Sequence, residues 1–144
     1  MDPLNKVEII VIHHSQREND SPDFIKKRHI ENRKWEDTGY HFLISNGTRG
    51  TMDGELHVGR SEKLMGAHVY GHNRNSIGIC LIGNFDNKKP SKKQMKTLKE
   101  FLKEKMKKYG IKPEKILGHR EFEGVTKTCP GKMVDMGEVR GMVS

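Results

Sequence analysis

The run Val7-Glu-Ile-Ile-Val-Ile12 does most to limit what this chain can become. It is β-branched and apolar at both parities, where a strand with one wet face would alternate. Such a run is a strand covered on both sides, so the fold must supply one layer above the sheet and another below. The strand leads straight into His13-His14-Ser15. In α/β sheets, functional sites gather at strand ends.

The rest of the chain can supply those layers. Ser21-Pro22 pairs an N-cap hydroxyl with proline at the first helical position. Phe24, Ile25, Ile30 and Trp35 then recur at roughly helical spacing, and this helix should end before Thr38-Gly39. His41–Ser45 reads as a second strand, Asn46-Gly47 as a turn, and Glu55–Val58 as the returning strand. Ser76–Ile82 is a third buried strand. Ser91 caps a second helix through Tyr109, with Met95, Leu98, Leu102 and Met106 on one face and Gly110 at its C′ position. Ile116-Leu117 is a short strand into Gly118-His119, and Val134–Val143 a short terminal helix. There is no repeat, low-complexity segment or linker. The expected fold is α/β, a single domain over residues 1–144 with its core at about 7–130, built on a central mixed β-sheet flanked by helices.

Charge and hydropathy exclude several classes. No apolar run approaches the ~20 residues of a membrane span. Met1-Asp-Pro-Leu-Asn-Lys6 lacks the charged-then-apolar pattern of a signal peptide, so synthesis in the cytoplasm without a leader and no membrane insertion are expected. The formal net charge is +8, with lysines concentrated in 88–108 and 112–115. The simplest reading is a solvated helix face. An anionic partner is the alternative. No nucleic-acid motif accompanies the charge, so no nucleic-acid partner is expected.

Two cysteines are too few for a disulfide scaffold. Cys80, inside Ile77-Gly-Ile-Cys-Leu-Ile82, reads as a small buried hydrophobe. Cys129, in Thr126-Lys-Thr-Cys-Pro-Gly131, has no packing explanation. Eight histidines is many for this length. His13 and His14 end one buried strand and His119 ends another. Neighbours on a strand face opposite ways, so only one of His13 and His14 can serve a given site, and periodicity does not say which. Two imidazoles and the Cys129 thiolate would make three of the four tetrahedral positions of a zinc ion, leaving the fourth open as catalytic sites do. His29 and His57 read as structural or surface residues, and His41 should face away from Tyr40.

Seven short motifs then occur in order: Val11-Ile-His-His-Ser15, Gly39-Tyr-His-Phe42, Gly59-Arg60, Gly66-Ala-His68, Asn75-Ser-Ile-Gly-Ile-Cys80, Gly118-His-Arg-Glu121 and Lys127-Thr-Cys-Pro130. Through them the sequence resembles the type 2 N-acetylmuramoyl-L-alanine amidases, a family that includes the lysozymes (endolysins) of T-odd bacteriophages and the peptidoglycan recognition proteins. The resemblance covers about Val7 to Pro130. It implies one zinc ion per chain on His13, His119 and Cys129, with Tyr40 and Lys127 catalytic. It also puts the His68 loop on the cleft rim, where His68 is either a contact for glycan or stem peptide or an exposed loop histidine. Arg60 is either a further substrate contact or a surface charge.

The implied activity is hydrolysis of the amide between N-acetylmuramic acid and L-alanine in bacterial peptidoglycan. The implied setting is a monomeric phage or prophage endolysin that acts on the wall after release. Tyr40 would position water or donate to the oxyanion, and Lys127 would neutralise it. One departure from the phage type is visible, an apparent lengthening at Glu123-Gly124 that would reshape the cleft lip. Two other readings compete. One is a recognition module that binds peptidoglycan without cutting it, against which stands the intact His13, His119, Cys129 and Tyr40 set. The other is a basic regulator that binds a polymerase or nucleic acid.

Overall fold

A computed structural model describes all 144 residues. The double-sided apolar run becomes β1 (Ile9–His14), inside a five-stranded sheet. The other strands are β2 (Phe42–Ile44), β3 (Leu56–Val58), β4 (Ser76–Leu81) and β5 (Ile116–Gly118), in the order β3-β2-β4-β1-β5. β1 runs parallel to β4 and β5, β4 is parallel to β2, and only the edge pair β2–β3 is antiparallel. The sheet is therefore mixed, as expected. No helix is long and apolar enough to cross a membrane.

Register sorts the side chains into two faces. Ile12 pairs with Ile79 and Ile79 with Phe42, so all three share a face. That face carries the larger core, closed by Leu98, Phe101 and Leu102 of α2 (Lys92–Tyr109) and by Met136 and Val139 of α3 (Met136–Gly141). One residue along, His13 pairs with Cys80 and Cys80 with Leu43. This second face packs against Ile25 of α1 (Pro22–Arg33) in a small cluster with Ile82 and a partly buried Tyr40. A cleft lined by His13, His29 and Tyr40 opens on this thinner side.

Helix ends follow local chemistry. The Ser21 side chain accepts from Phe24 N–H at the start of α1. Ser91 and Gln94 form a reciprocal capping box on α2, and Gly110 ends it at φ 67°. α1 stops sooner than its apolar spacing suggests. Lys34 turns left-handed (φ 60°) and Trp35 N–H reaches back to His29 O at 3.2 Å. Trp35 thus lies beyond the helix, its ring 4.8 Å from that of His29.

The lysine-rich helix is not solvated throughout. Lys105 follows Phe101 by one turn, so it falls on the inner face at 5% exposure. Its ammonium pairs with Glu62 at 3.0 Å and lies 4.8 Å from the Phe42 ring centroid.

Candidate metal centre and active site

β1 and β5 end side by side, and their ends carry the cluster. His13 leaves β1 on the α1 face. His119 opens the 3₁₀ turn His119–Glu121 directly after β5. Cys129 comes from the following loop, which Arg120 holds in place. Arg120 N–H donates to Cys129 O at 2.7 Å, and its guanidinium donates to the carbonyls of Thr128, Gly131 and Val134. Asp86 holds the same loop from the other side, accepting from Thr128 Oγ1 at 2.7 Å and Lys132 N–H at 3.0 Å.

One ligand atom from each of His13, His119 and Cys129 lies within 4.8 Å of the others. Cys129 Sγ is 3.7 Å from His13 Nδ1. Two ligands on a tetrahedral zinc, with bonds near 2.1 and 2.3 Å, would sit about 3.6 Å apart. The donor set, two imidazoles and one thiol, also suits zinc. The residues present therefore fit that ion.

The electrostatics keep the imidazoles neutral. Burial, then the neighbouring His68, His119 and His14, hold His13 well below the usual histidine range. Burial, then Lys127, lowers His119. Burial pushes the Cys129 thiol up to about 11, opposed by the His14 amide, Lys127 and Arg120. The His14 N–H points at Cys129 Sγ from 3.4 Å, a donor ready for a thiolate.

These groups open into a cleft of about 830 Å³ that Tyr40 and Lys127 also line. The Tyr40 ring lies 5.2 Å from that of His13. Burial, then the nearby cysteines, raises the Tyr40 hydroxyl well above its usual range, so it remains a donor at neutral pH. Lys127 is exposed at the mouth. Arg33, Trp35, Tyr70 and Asn73 also line the cleft, with Tyr70 wholly exposed. Residue type alone does not single out these four. Beyond His119, Phe122 packs its ring on His72 at 4.7 Å, and Glu123-Gly124 forms an exposed turn outside it.

His68 and Arg60 sit differently from expectation, while His14, His41 and His57 take places in line with it. His68 does line the cleft, but from within it rather than from an exposed rim. It is 8% exposed, and its Nδ1 lies 2.9 Å from His13 Nε2. Arg60 is neither a surface charge nor part of the cleft lining. It is 5% exposed, and its guanidinium donates to the carbonyls of Thr38, Met65 and Asp37. His14 lies on the opposite face from His13 and accepts Phe85 N–H at its Nδ1. His41 is fully buried, accepting Gly78 N–H at Nδ1 and bonding Leu64 O through Nε2. His29 lines the cleft while its Nδ1 accepts Gly39 N–H. His57 bonds Ser45 Oγ.

Comparison with known proteins agrees with this geometry. Residues 3–132 match the N-acetylmuramoyl-L-alanine amidase family. The chain is 35% identical over 111 residues to the endolysin of Escherichia phage T7, covering 74% of this chain and 66% of that protein. It is 32% identical over 109 residues to the N-acetylmuramoyl-L-alanine amidase of Mus musculus, covering 74% of this chain but only 19% of the mouse protein. A peptidoglycan recognition protein of Trichoplusia ni is 30% identical over 135 residues, covering 88% of this chain and 70% of that one. Among solved structures, N-acetylmuramoyl-L-alanine amidase LysC from Clostridium intestinale URNW superposes with a TM-score of 0.83 at 30% identity, covering 94% of this chain and 84% of that one. By sequence, sheet topology and the cluster at the end of β1, the chain belongs to the N-acetylmuramoyl-L-alanine amidase family.

Proposed function

We propose that the protein is a zinc-dependent amide hydrolase that separates the stem peptide from N-acetylmuramic acid in peptidoglycan, in the manner of an endolysin. The observation that carries this reading is the convergence of His13, His119 and Cys129 at the floor of a cleft that Tyr40 and Lys127 also face. A recognition module needs the cleft but has no use for that donor set together with Tyr40.

His13, His119 and Cys129 would hold the ion, which when bound polarises the amide carbonyl and acidifies water. The chain's own groups do the rest. The protonated Tyr40 hydroxyl donates a hydrogen bond to the oxygen that gains charge, or positions the attacking water. The Lys127 ammonium supplies a cation at the open side, where the oxyanion develops. The cleft walls, with Trp35 and Tyr70 on them, offer apolar surface to the sugar and the stem peptide.

Metal analysis of purified variants tests this reading. Wild type should carry one zinc per chain, and Cys129→Ser and His13→Ala should lose most of it. His14→Ala should keep it, because His14 faces the other way. Chelator should stop cleavage of a soluble muropeptide and added zinc should restore it. Full zinc occupancy in Cys129→Ser or His13→Ala would overturn the ligand set.

A further inference from the structure

His68 has no access to bulk solvent through most of its ring, yet both its nitrogens are engaged. Nδ1 lies 2.9 Å from His13 Nε2, and Nε2 lies 3.3 Å from Ser76 Oγ. Ser76 Oγ in turn donates to His72 O at 2.8 Å. Ser76 is 0% exposed, His13 2% and His68 8%, so no water competes freely for these atoms.

The direction of this chain follows from its last member. A carbonyl oxygen only accepts, so the single proton of the Ser76 hydroxyl is committed to His72 O. Ser76 Oγ must then accept from His68, which places the His68 proton on Nε2. A neutral imidazole carries one proton, so His68 Nδ1 is an acceptor. It takes the proton of His13 Nε2–H. His13 Nδ1 is left with its lone pair, and that atom is the one 3.7 Å from Cys129 Sγ.

Two glycines make the slot for the ring. A Cβ at Gly78 would stand 2.5 Å from His68 Nδ1, and a Cβ at Gly66 would stand 2.7 Å from His68 Cδ2. Asn73 fixes the backbone entry, its Oδ1 accepting the N–H of both His68 and Val69 at 3.0 and 2.9 Å.

We propose that His68 is a positioning residue that, through a one-way relay ending on the His72 carbonyl, locks His13 in the tautomer whose Nδ1 lone pair faces His119 and Cys129. This rests on the metal reading above for its purpose, but the tautomer itself is a property of the metal-free chain. Ligating histidines depend in this way on the partner of their second nitrogen, and loss of that partner typically weakens metal affinity ~10–100-fold.

The test has two readouts. Imidazole nitrogen resonances of the metal-free protein report which His13 nitrogen carries the proton. Competition with a chromophoric chelator reports the zinc Kd. Wild type should show His13 protonated at Nε2. His68→Leu fills the slot without an acceptor and should give a mixture of His13 tautomers and a Kd weakened ~10–100-fold. His68→Asn offers a carbonyl oxygen near the Nδ1 position and should recover most of the affinity. Ser76→Ala touches neither His13 nor the cleft. It frees the polarity of the relay and should also give mixed tautomers, with a smaller loss of affinity.

A wild-type His13 protonated at Nδ1 would overturn the relay. So would a folded His68→Leu, or a folded Ser76→Ala if His68→Leu does not fold, that kept both the tautomer and the Kd of wild type. Absence of zinc binding by wild type, with the Nε2–H tautomer present, would instead refute the metal reading and leave the relay standing.

Discussion

Tyr40 and Lys127 are treated oppositely by the fold, and the difference defines what each can do. Tyr40 is partly buried beside His13 and keeps its proton. Lys127 is exposed, and its ammonium lies close enough to His119 and Cys129 to act on both. Neither belongs to the proposed ligand set, so Tyr40→Phe and Lys127→Met should retain zinc and bind muropeptide normally. If each acts on charge that grows in the transition state, as proposed, each should lose on the order of 10²–10³ in kcat. Steady-state kinetics with metal analysis on the same preparations decides the matter. Near wild-type rates in both variants would remove these two roles.

At this scale the sequence was informative about chemistry and less so about burial. The alternation rule placed His13 and His14 on opposite faces but could not say which face held the site. That depends on where β5 delivers His119, a non-local fact. His68 and Arg60 looked like loop residues because their burial is made by distant chain. His68 needs the flat backbone of Gly78, and Arg60 needs three carbonyls gathered from Asp37, Thr38 and Met65.

Among elements, α2 shows how a helix is tied to the sheet that positions the site. Gln94 serves the capping box with its Oε1 and, at 1% exposure, donates through Nε2 to Ile44 O and Ile82 O. Gln94→Leu keeps the bulk but removes the cap acceptor and takes the side-chain donor from Ile82 O, while Ile44 O keeps the Ile82 N–H at 2.9 Å. Urea unfolding should show a loss of about 1–3 kcal/mol. Activity per folded molecule should be unchanged, since α2 lies on the face away from the cleft. Unchanged stability would contradict the role given to these bonds. The helix itself was readable from sequence because caps and periodicity are local signals. The early stop of α1 was not, since Lys34 carries no mark of a left-handed residue.

For the whole molecule, acid stability follows from its buried imidazoles. Six histidines, His13, His14, His29, His41, His68 and His119, have lowered values, with burial the first cause in each. His68 falls to about 3 and His29 to about 4. The unfolded chain takes up these protons below pH ~6.5 while the folded chain does not, so stability falls as pH falls. Each fully depressed histidine contributes a slope of about 1.4 kcal/mol per pH unit in that window, and the half-buried His29 and His119 less. The Tm of metal-free protein should therefore drop steeply between pH 6.5 and 5. A flat profile over that range would show that these rings protonate without unfolding.

The +8 charge has its own consequence. The exposed lysines of α2 lie behind the sheet, away from the cleft, so they cannot touch the scissile amide. If they capture anionic wall, binding to intact walls should weaken with salt, since exposed charges are screened beyond ~10 Å at 0.1 M. Cleavage of a small muropeptide should change much less. Equal salt sensitivity would leave the lysines as a plain solvated face.

The central claim is that this cleft cuts one particular bond by means of the His13, His119 and Cys129 cluster. The direct measurement is the product count from purified sacculi treated with zinc-loaded wild type and with Cys129→Ser. The account predicts new free amino groups on alanine, no new reducing ends, and neither product from Cys129→Ser. New reducing ends, or undiminished release of amino groups by a zinc-free Cys129→Ser protein, would contradict it.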